Sequence, residues 1–288
     1  MKKIMLIATI AAMLCSCTKE NYDINPVNEN GNVVTFNFSP YEMTPMKTVH
    51  PIGEYTTNLD VYIRDNTDQS APVIRLHQSN ASTSDPTAGY GTVQVSMNAD
   101  HNYTIYAVAH SGNDTASLVG NTIIFPGNEE ITHSFFYKNT FNLEYNTDIN
   151  CNMKRIVGEI RFLIQDSVPT DVTKFQFIID STYTRWNINN YPENNISKVH
   201  NFQDFSRNGN GGVGLRMFVM SESDTSTTFV NLTVTALTAN DSIYYRRVLT
   251  DVPIRNGYQT QCRGTFFHNF NMNSAFTAPG WNTWAYDY

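Results

Sequence analysis

Apolar residues recur at every second position along most of this chain. In Val33–Phe38, Val34, Phe36 and Phe38 fall on one face and Thr35 and Asn37 on the other, the mark of a strand with one buried side. Asn58–Arg64 repeats the pattern, with Leu59, Val61 and Ile63 set against Asp60, Tyr62 and Arg64. Val93, Val95 and Met97 predict another strand, and Tyr103–Val108 a longer one dense in Tyr, Ile, Val and Ala. Thr122–Phe125 and Ser134–Tyr137 follow. Clusters of Asn, Asp, Ser, Gly and Pro at Asp65–Ser70, Gln78–Gly89 and Ser111–Asp114 supply turn chemistry between them.

The polar stretch Asn146–Asn150 interrupts this pattern and sets the expected domain boundary. Beyond it, Arg155–Ile164 carries the strongest alternation in the chain: Ile156, Gly158, Ile160, Phe162 and Ile164 against Val157, Glu159, Arg161 and Leu163. Asp166–Pro169 ends that strand, because proline cannot continue a central ladder. Lys174–Ile179, Leu215–Met220, Thr228–Thr235, Ser242–Val248 and Gly257–Phe267 continue as strands. Helical spacing is missing; Phe202–Phe205 reads as a short helical turn at most. The prediction is an all-β chain with two β-sandwich domains in series, over 33–147 and 148–288, behind a polar linker at 17–32.

Residues 1–16 have a different character. Lys2 and Lys3 precede an apolar run from Ile4 to Leu14, and small residues follow, which is the layout of a secretory signal peptide. The run is too short for a membrane-spanning helix of ~20 residues. Leu14-Cys15-Ser16-Cys17 resembles the bacterial lipobox. The resemblance implies that Cys17 receives a thioether-linked diacylglycerol, is cut free by a lipoprotein signal peptidase and is acylated at its new N-terminus. Several acyl chains, at ~0.8 kcal/mol per buried methylene, anchor a protein stably. A plain signal peptide that holds two cysteines is the alternative.

Hydrophobic residues at 41% can build a core, and aromatics at 12% with charged residues at 16% favour strands over helices. The formal charge of −7 becomes −9 once Lys2 and Lys3 leave with the signal. That balance excludes nucleic acid as an expected partner, since such proteins concentrate Lys and Arg to displace counterions. Cys151 and Cys262 form either a disulfide, as an exported protein allows, or two separately buried thiols. Their separation does not suit a metal site.

Candidate chemistry is sparse. Gly209, Gly211 and Gly214 spell GxGxxG, but they precede a strand, whereas the dinucleotide motif follows a strand and opens a helix. There is no GxSxG elbow and no HExxH. The seven histidines are scattered, and Asp23–Gly31 lacks the spacing and closing glutamate of an EF-hand. Trp186, Trp281 and Trp284 could stack sugars through their ring faces, with burial as the alternative for each. No catalytic, cofactor-binding or metal-ligating residue is expected.

Several blocks, taken in order, resemble the fimbrillin superfamily of Bacteroidetes type V pili: Cys17-Thr18-Lys19-Glu20, Val33–Phe38, Asn58–Arg64, His101–Ala109, Arg155–Ile160, and Val252-Pro253-Ile254 through Asn256, Tyr258, Thr260 and Gly264. The resemblance implies two transthyretin-like sandwiches in an outer-membrane, cell-surface lipoprotein of fimbria assembly, anchoring or adhesion. In that family a protease cuts a stalk subunit at an arginine and removes its first strand. A donor strand from the next subunit then fills the groove by β-augmentation, a contact that propagates into a filament. This chain departs from the stalk pattern. No arginine lies between Cys17 and the second strand, where the loop offers only Lys47; Arg64 lies inside a strand and Arg75 in the following loop. An uncleaved anchor or accessory subunit is the better expectation, with other subunits as partners through strand exchange. The tail Ala275–Tyr288 reads either as an exchanged segment or as a strand docked on its own domain. Asp-Ser/Thr triplets at Thr115, Ser167, Ser181 and Ser242 resemble the O-glycosylation motif of the same phylum. The competing reading is a glycan-binding surface lipoprotein using the aromatic tail from Trp281 to Tyr288.

Overall fold

A computed structural model describes residues 31–41, 51–80, 89–203, 205–209, 211–223, 225–268 and 271–279. The first part comprises β1 (Asn32–Pro40), β2 (Asn58–Asp65), β3 (Ile74–Ser79), β4 (Thr92–Met97), β5 (His101–His110), β6 (Ser117–Val119), β7 (Thr122–Ile124), β8 (Ser134–Leu143) and β9 (Thr147–Arg155). Seven of these strands are ordered β3-β2-β5-β8-β9-β1-β4. The sheet is pinched where β8 meets β9, which pair only through Phe135 with Arg155 and Phe136 with Lys154. Its two parts face each other across a common core. Val34, Phe36 and Phe38 of β1 pack there with Leu59, Val61 and Ile63 of β2 and with Ile105 and Ala107 of β5. The Phe36 and Phe141 rings meet edge-on at 5.8 Å.

The second part comprises β10 (Gly158–Ile164), β11 (Val172–Asn187), β12 (Tyr191–Phe202), β13 (Val213–Val219), β14 (Thr228–Thr238), β15 (Ile243–Ile254), β16 (Tyr258–Thr265) and β17 (Asn271–Pro279). One sheet runs β13-β10-β16-β17, and the other places β11 between β12 and β14, with β15 beyond β14. Phe162 of the first sheet meets Phe177 of the second at 5.1 Å and 75°. Phe162, Phe175 and Phe177 are fully buried; truncating any one to alanine costs ~3–5 kcal/mol. This is the all-β, two-sandwich architecture that the alternation predicts.

The two sandwiches are built on one plan. In the first, the opening strand β1 lies between β4, antiparallel, and the closing strand β9, parallel. In the second, β10 lies between β13, antiparallel, and β16, parallel. The facing sheets, β3-β2-β5-β8 and β12-β11-β14-β15, match strand for strand. Their largest difference is one connection: residues 111–133 join β5 to β8, whereas the turn 239–242 joins β14 to β15.

Two expectations need correcting, and the alternative left open for the cysteine pair is decided. The polar stretch at the expected 147/148 boundary opens β9, a strand of the first sandwich, so the first sheet continues to Arg155. Cys151 and Cys262 are free thiols, buried in separate cores, and not a disulfide. Burial pushes each thiol up to about 12. Phe202 ends β12 instead of opening a helical turn. The helical pieces among the described residues are the turn Ile52–Glu54 and Pro126–Glu129, and none is long and apolar enough to cross a membrane.

β17, which ends in the described part of the C-terminal tail (275–279), docks antiparallel on β16 of its own domain; residues 280–288, including Trp281, Trp284, Tyr286 and Tyr288, lie outside the described residues. Gly264 makes that docking close. Its φ is +156°, and a Cβ there would run into the carbonyl oxygen of Asn271 on β17. Gly264→Ala is expected to loosen β17 at a cost of ~1–3 kcal/mol. Faster hydrogen exchange over 271–279 and a lower denaturant midpoint would register it, while unchanged exchange would show that the close approach is relieved elsewhere.

Candidate functional site

β1 is held on both sides along its length. It pairs with β9 from Val34–Thr147 to Pro40–Met153 and with β4 from Asn32–Met97 to Asn37–Thr92. At its end, the Phe38 N–H donates to the Gly91 carbonyl and the Tyr41 N–H to the Met153 carbonyl, both at 2.7 Å. Val34 and Phe36 are wholly buried. Among the described pairings β1 is also the sole partner of β4. It is therefore an interior strand of its sheet and a wall of the core. The nearest arginines downstream are poorly placed for its removal. Arg64 is in β2, an interior strand between β3 and β5, with its guanidinium 5.9 Å from the Tyr106 ring centroid. Arg75, expected in a loop, lies in β3 opposite Tyr62. Cutting at either would sever the chain beyond both β1 and most or all of β2. Cys17 and Lys47 lie outside the described residues.

The junction between the sandwiches is a second site of concentrated chemistry. β6 and β7 leave the first sandwich and pair with the far end of β11, through Ile124–Arg185, Ile123–Trp186 and Thr122–Asn187. Trp186, a candidate sugar platform, is buried there with Tyr62, Tyr106, Phe136 and Met220, so it offers no ring face to a ligand. Arg185 pairs with Glu129 across the same junction. Asp60, on the outer side of β2, ties the covering segment down. Its carboxylate accepts from the Ala116 N–H at 2.9 Å and lies 2.8 Å from His77 Nδ1 and 3.2 Å from His110 Nε2. The Gly112 N–H donates to His110 Nδ1 at 3.1 Å, so in neutral His110 the proton sits on Nε2 and points at Asp60. Burial opposes the charge on Asp60, but these bonds outweigh it and hold its carboxyl below the usual range.

His133 and Glu159 sit at the same junction with Arg155 and Arg216. Arg155 Nη1 lies 2.8 Å from His133 Nδ1, and the Phe218 ring packs 4.3 Å from the imidazole. Burial first, then the Arg155 and Arg216 charges, hold the His133 pKa well below its ordinary value. Glu159 shifts the other way: burial raises its pKa more than Arg216 and Arg155 lower it.

The outer faces of the two matched sheets differ. In the first sandwich, Tyr62, Tyr106 and Val108 are buried under Ala116, Leu118, Ile123, Phe125 and Ile131 from the 111–133 connection. In the second, the corresponding face of β12, β11, β14 and β15 is open as a trough of about 510 Å³. Gln176, Asn201, Gln203 and Thr235 line it with amides and a hydroxyl, and Ile178, Leu237 and Ile243 add aliphatic surface. Gln176 donates to Asn201 at 3.2 Å, and Lys174 pairs with Asp241 at 2.7 Å. Arg246, opposite Thr235 in register, is exposed and makes no ion pair among the described residues.

The remaining sequence candidates stay apart. Thr115, Ser167 and Ser242 are exposed, while Ser181 is half-buried and donates to Asn195 at 2.9 Å. The glycine motif forms the turn before β13 and the start of that strand, and no helix follows it. Among the described residues no group of three His, Cys, Asp or Glu side chains could hold a metal ion. The Asp60 and His133 clusters were missed because they form only across strands. The usable signal for Asp60 is that β2 and β3 place His77 directly opposite it.

A sequence profile of a family of unknown function (DUF6562) matches residues 34–283. No curated protein matches the chain. Among solved structures, a Bacteroides thetaiotaomicron protein whose name proposes polysaccharide binding superposes with a TM-score of 0.55 at 11% identity, over 81% of this chain and 92% of that one. A second protein of that organism, named as a candidate adhesin, gives 0.52 at 10% identity, over 81% and 91%. The fimbrial anchor protein Mfa2 of Porphyromonas gingivalis gives 0.44 at 12% identity, over 81% and 90%. At such identities the first two likenesses establish a shared two-sandwich fold.

Proposed function

The chain belongs to the DUF6562 family, a family of unknown function, and we propose that it is a surface lipoprotein of the fimbrillin type that keeps its first strand and serves as an anchor or accessory subunit in fimbria assembly or adhesion. The observation that carries this reading is β1 itself. It fills the groove between β4 and β9 with its own side chains, and no arginine precedes β2 at which it could be released. A stalk subunit must vacate that groove to accept a donor strand; a subunit that keeps β1 has a closed first sandwich and polymerises through another surface or ends the assembly. The fold shared with the candidate adhesin of Bacteroides thetaiotaomicron supports the adhesive side of the reading. Adhesion further needs a ligand surface, for which the trough on the second sandwich is the candidate. The role is non-catalytic, with attachment to the outer membrane through lipid on Cys17.

Attachment is tested by metabolic labelling with an alkyne analogue of palmitate. The wild-type chain is expected to carry the label and sediment with membranes, and Cys17→Ala to lose both. Sedimentation of an unlabelled Cys17→Ala protein would contradict the lipid anchor.

A further inference from the structure

We propose that the trough on the outer face of the second sandwich binds an acidic oligosaccharide. This deepens the adhesion reading and rests on it only for exposure of the face to glycans. The internal match between the sandwiches picks out the face. The same sheet in the first sandwich is covered by the connection from β5 to β8, and its outer residues are core. In the second sandwich that connection has shrunk to the turn 239–242, leaving Ile243 and Val248 of β15 and Val199 of β12 more than a third exposed.

The geometry limits what can bind there. β11 and β14 are interior strands whose backbone groups are used by the ladders on both sides, so an extended peptide cannot add a strand to this face. Recognition must come from side chains. Gln176, Asn201 and Gln203 present both donors and acceptors, the complement of neighbouring sugar hydroxyls, which also donate and accept. Ile178 and Leu237 give an aliphatic floor for the C–H side of a pyranose. At about 510 Å³, the trough falls within the ~300–1,000 Å³ of ordinary ligand sites.

Charge selects an acidic ligand. Of the two cations lining the trough, Lys174 is neutralised by Asp241, while Arg246 faces the amide row without an anion among the described residues. Its guanidinium fork matches a carboxylate in two-point geometry. The chain's net charge of −7 disfavours a densely sulfated polyanion, so a uronic or sialic acid with one carboxylate per binding unit fits best.

The test is an array of sialylated, uronic-acid-bearing and neutral glycans probed with the detergent-solubilised full-length protein. Binding is expected only on carboxylate-bearing glycans. Arg246→Gln should weaken it at least tenfold and Asn201→Ala several-fold, with unchanged melting temperatures because both side chains are exposed. Phe229→Ala, on the same outer face but outside the trough, should bind as wild type. Absence of any glycan signal, or equal binding of neutral glycans that Arg246→Gln leaves intact, would overturn the proposal. Neither result would touch the anchor reading, which is read from the palmitate label and the mature N-terminus.

Discussion

A chain that lacks residues 1–41 is expected to leave its first sandwich unfolded. Its loss removes Val34, Phe36 and Phe38 from the core and deprives β4 of its sole described partner. Truncating one buried Phe costs ~3–5 kcal/mol, so the two in β1 alone approach the ~5–15 kcal/mol that stabilises a typical domain. The second sandwich has its own core and should survive, giving a protein with one cooperative transition where the intact chain shows more. A synthetic peptide of Asn32–Pro40 added in trans should restore the lost protection of β4 and β9, because it brings back both ladders. If the truncated chain kept native hydrogen-exchange protection in β4, the groove would be closing by another route and β1 would be dispensable.

Acid should weaken the junction between the sandwiches, and His133 sets the sign. Folding holds its imidazole neutral, through burial and the Arg155 and Arg216 charges, whereas the unfolded chain protonates it near pH 6.5. Its contribution is full above that pH and declines as the pH falls, at ~1.4 kcal/mol per unit for one proton. His200, lowered to about 4 by burial and then by Lys198, acts in the same direction. Glu159 opposes them: its folded pKa is raised, so its neutral form is favoured on folding and its penalty grows as pH rises through that value. Thermal melts against pH should therefore show an acid limb that His133→Gln flattens and that His133→Gln with His200→Gln flattens further. A limb of unchanged slope in the double variant would place acid sensitivity elsewhere, in Asp60 or the other paired carboxylates.

The strands most legible in the sequence point every second side chain into a sandwich core. β1, β2, β10 and β14 alternate cleanly in sequence because the core takes every second side chain, even though the 111–133 connection also buries the outer side of β2. β12 carries few buried positions because it is an edge strand solvated along most of its length, and its sequence, rich in Asn, Glu and Ser, gives no period to read. β9 reads as a polar break in the sequence because Asp148, Asn150 and Asn152 face water while Cys151 and Met153 face the core. β11 was legible only to Ile179. A register shift between Ile179 and Thr182 interrupts its alternation, and the strand then runs on to meet β7 of the other sandwich. That exchange of strands, like the trough assembled from four of them, depends on tertiary pairing that no local window contains.

The central claim is that β1 stays in its groove in the mature protein, and intact mass with N-terminal analysis of the protein extracted from outer membranes tests it most directly. The account predicts a single chain that begins at an acylated Cys17 and includes Asn32–Pro40. A mature form that begins after Lys47, without lipid, would contradict it and make this chain a donor-strand subunit.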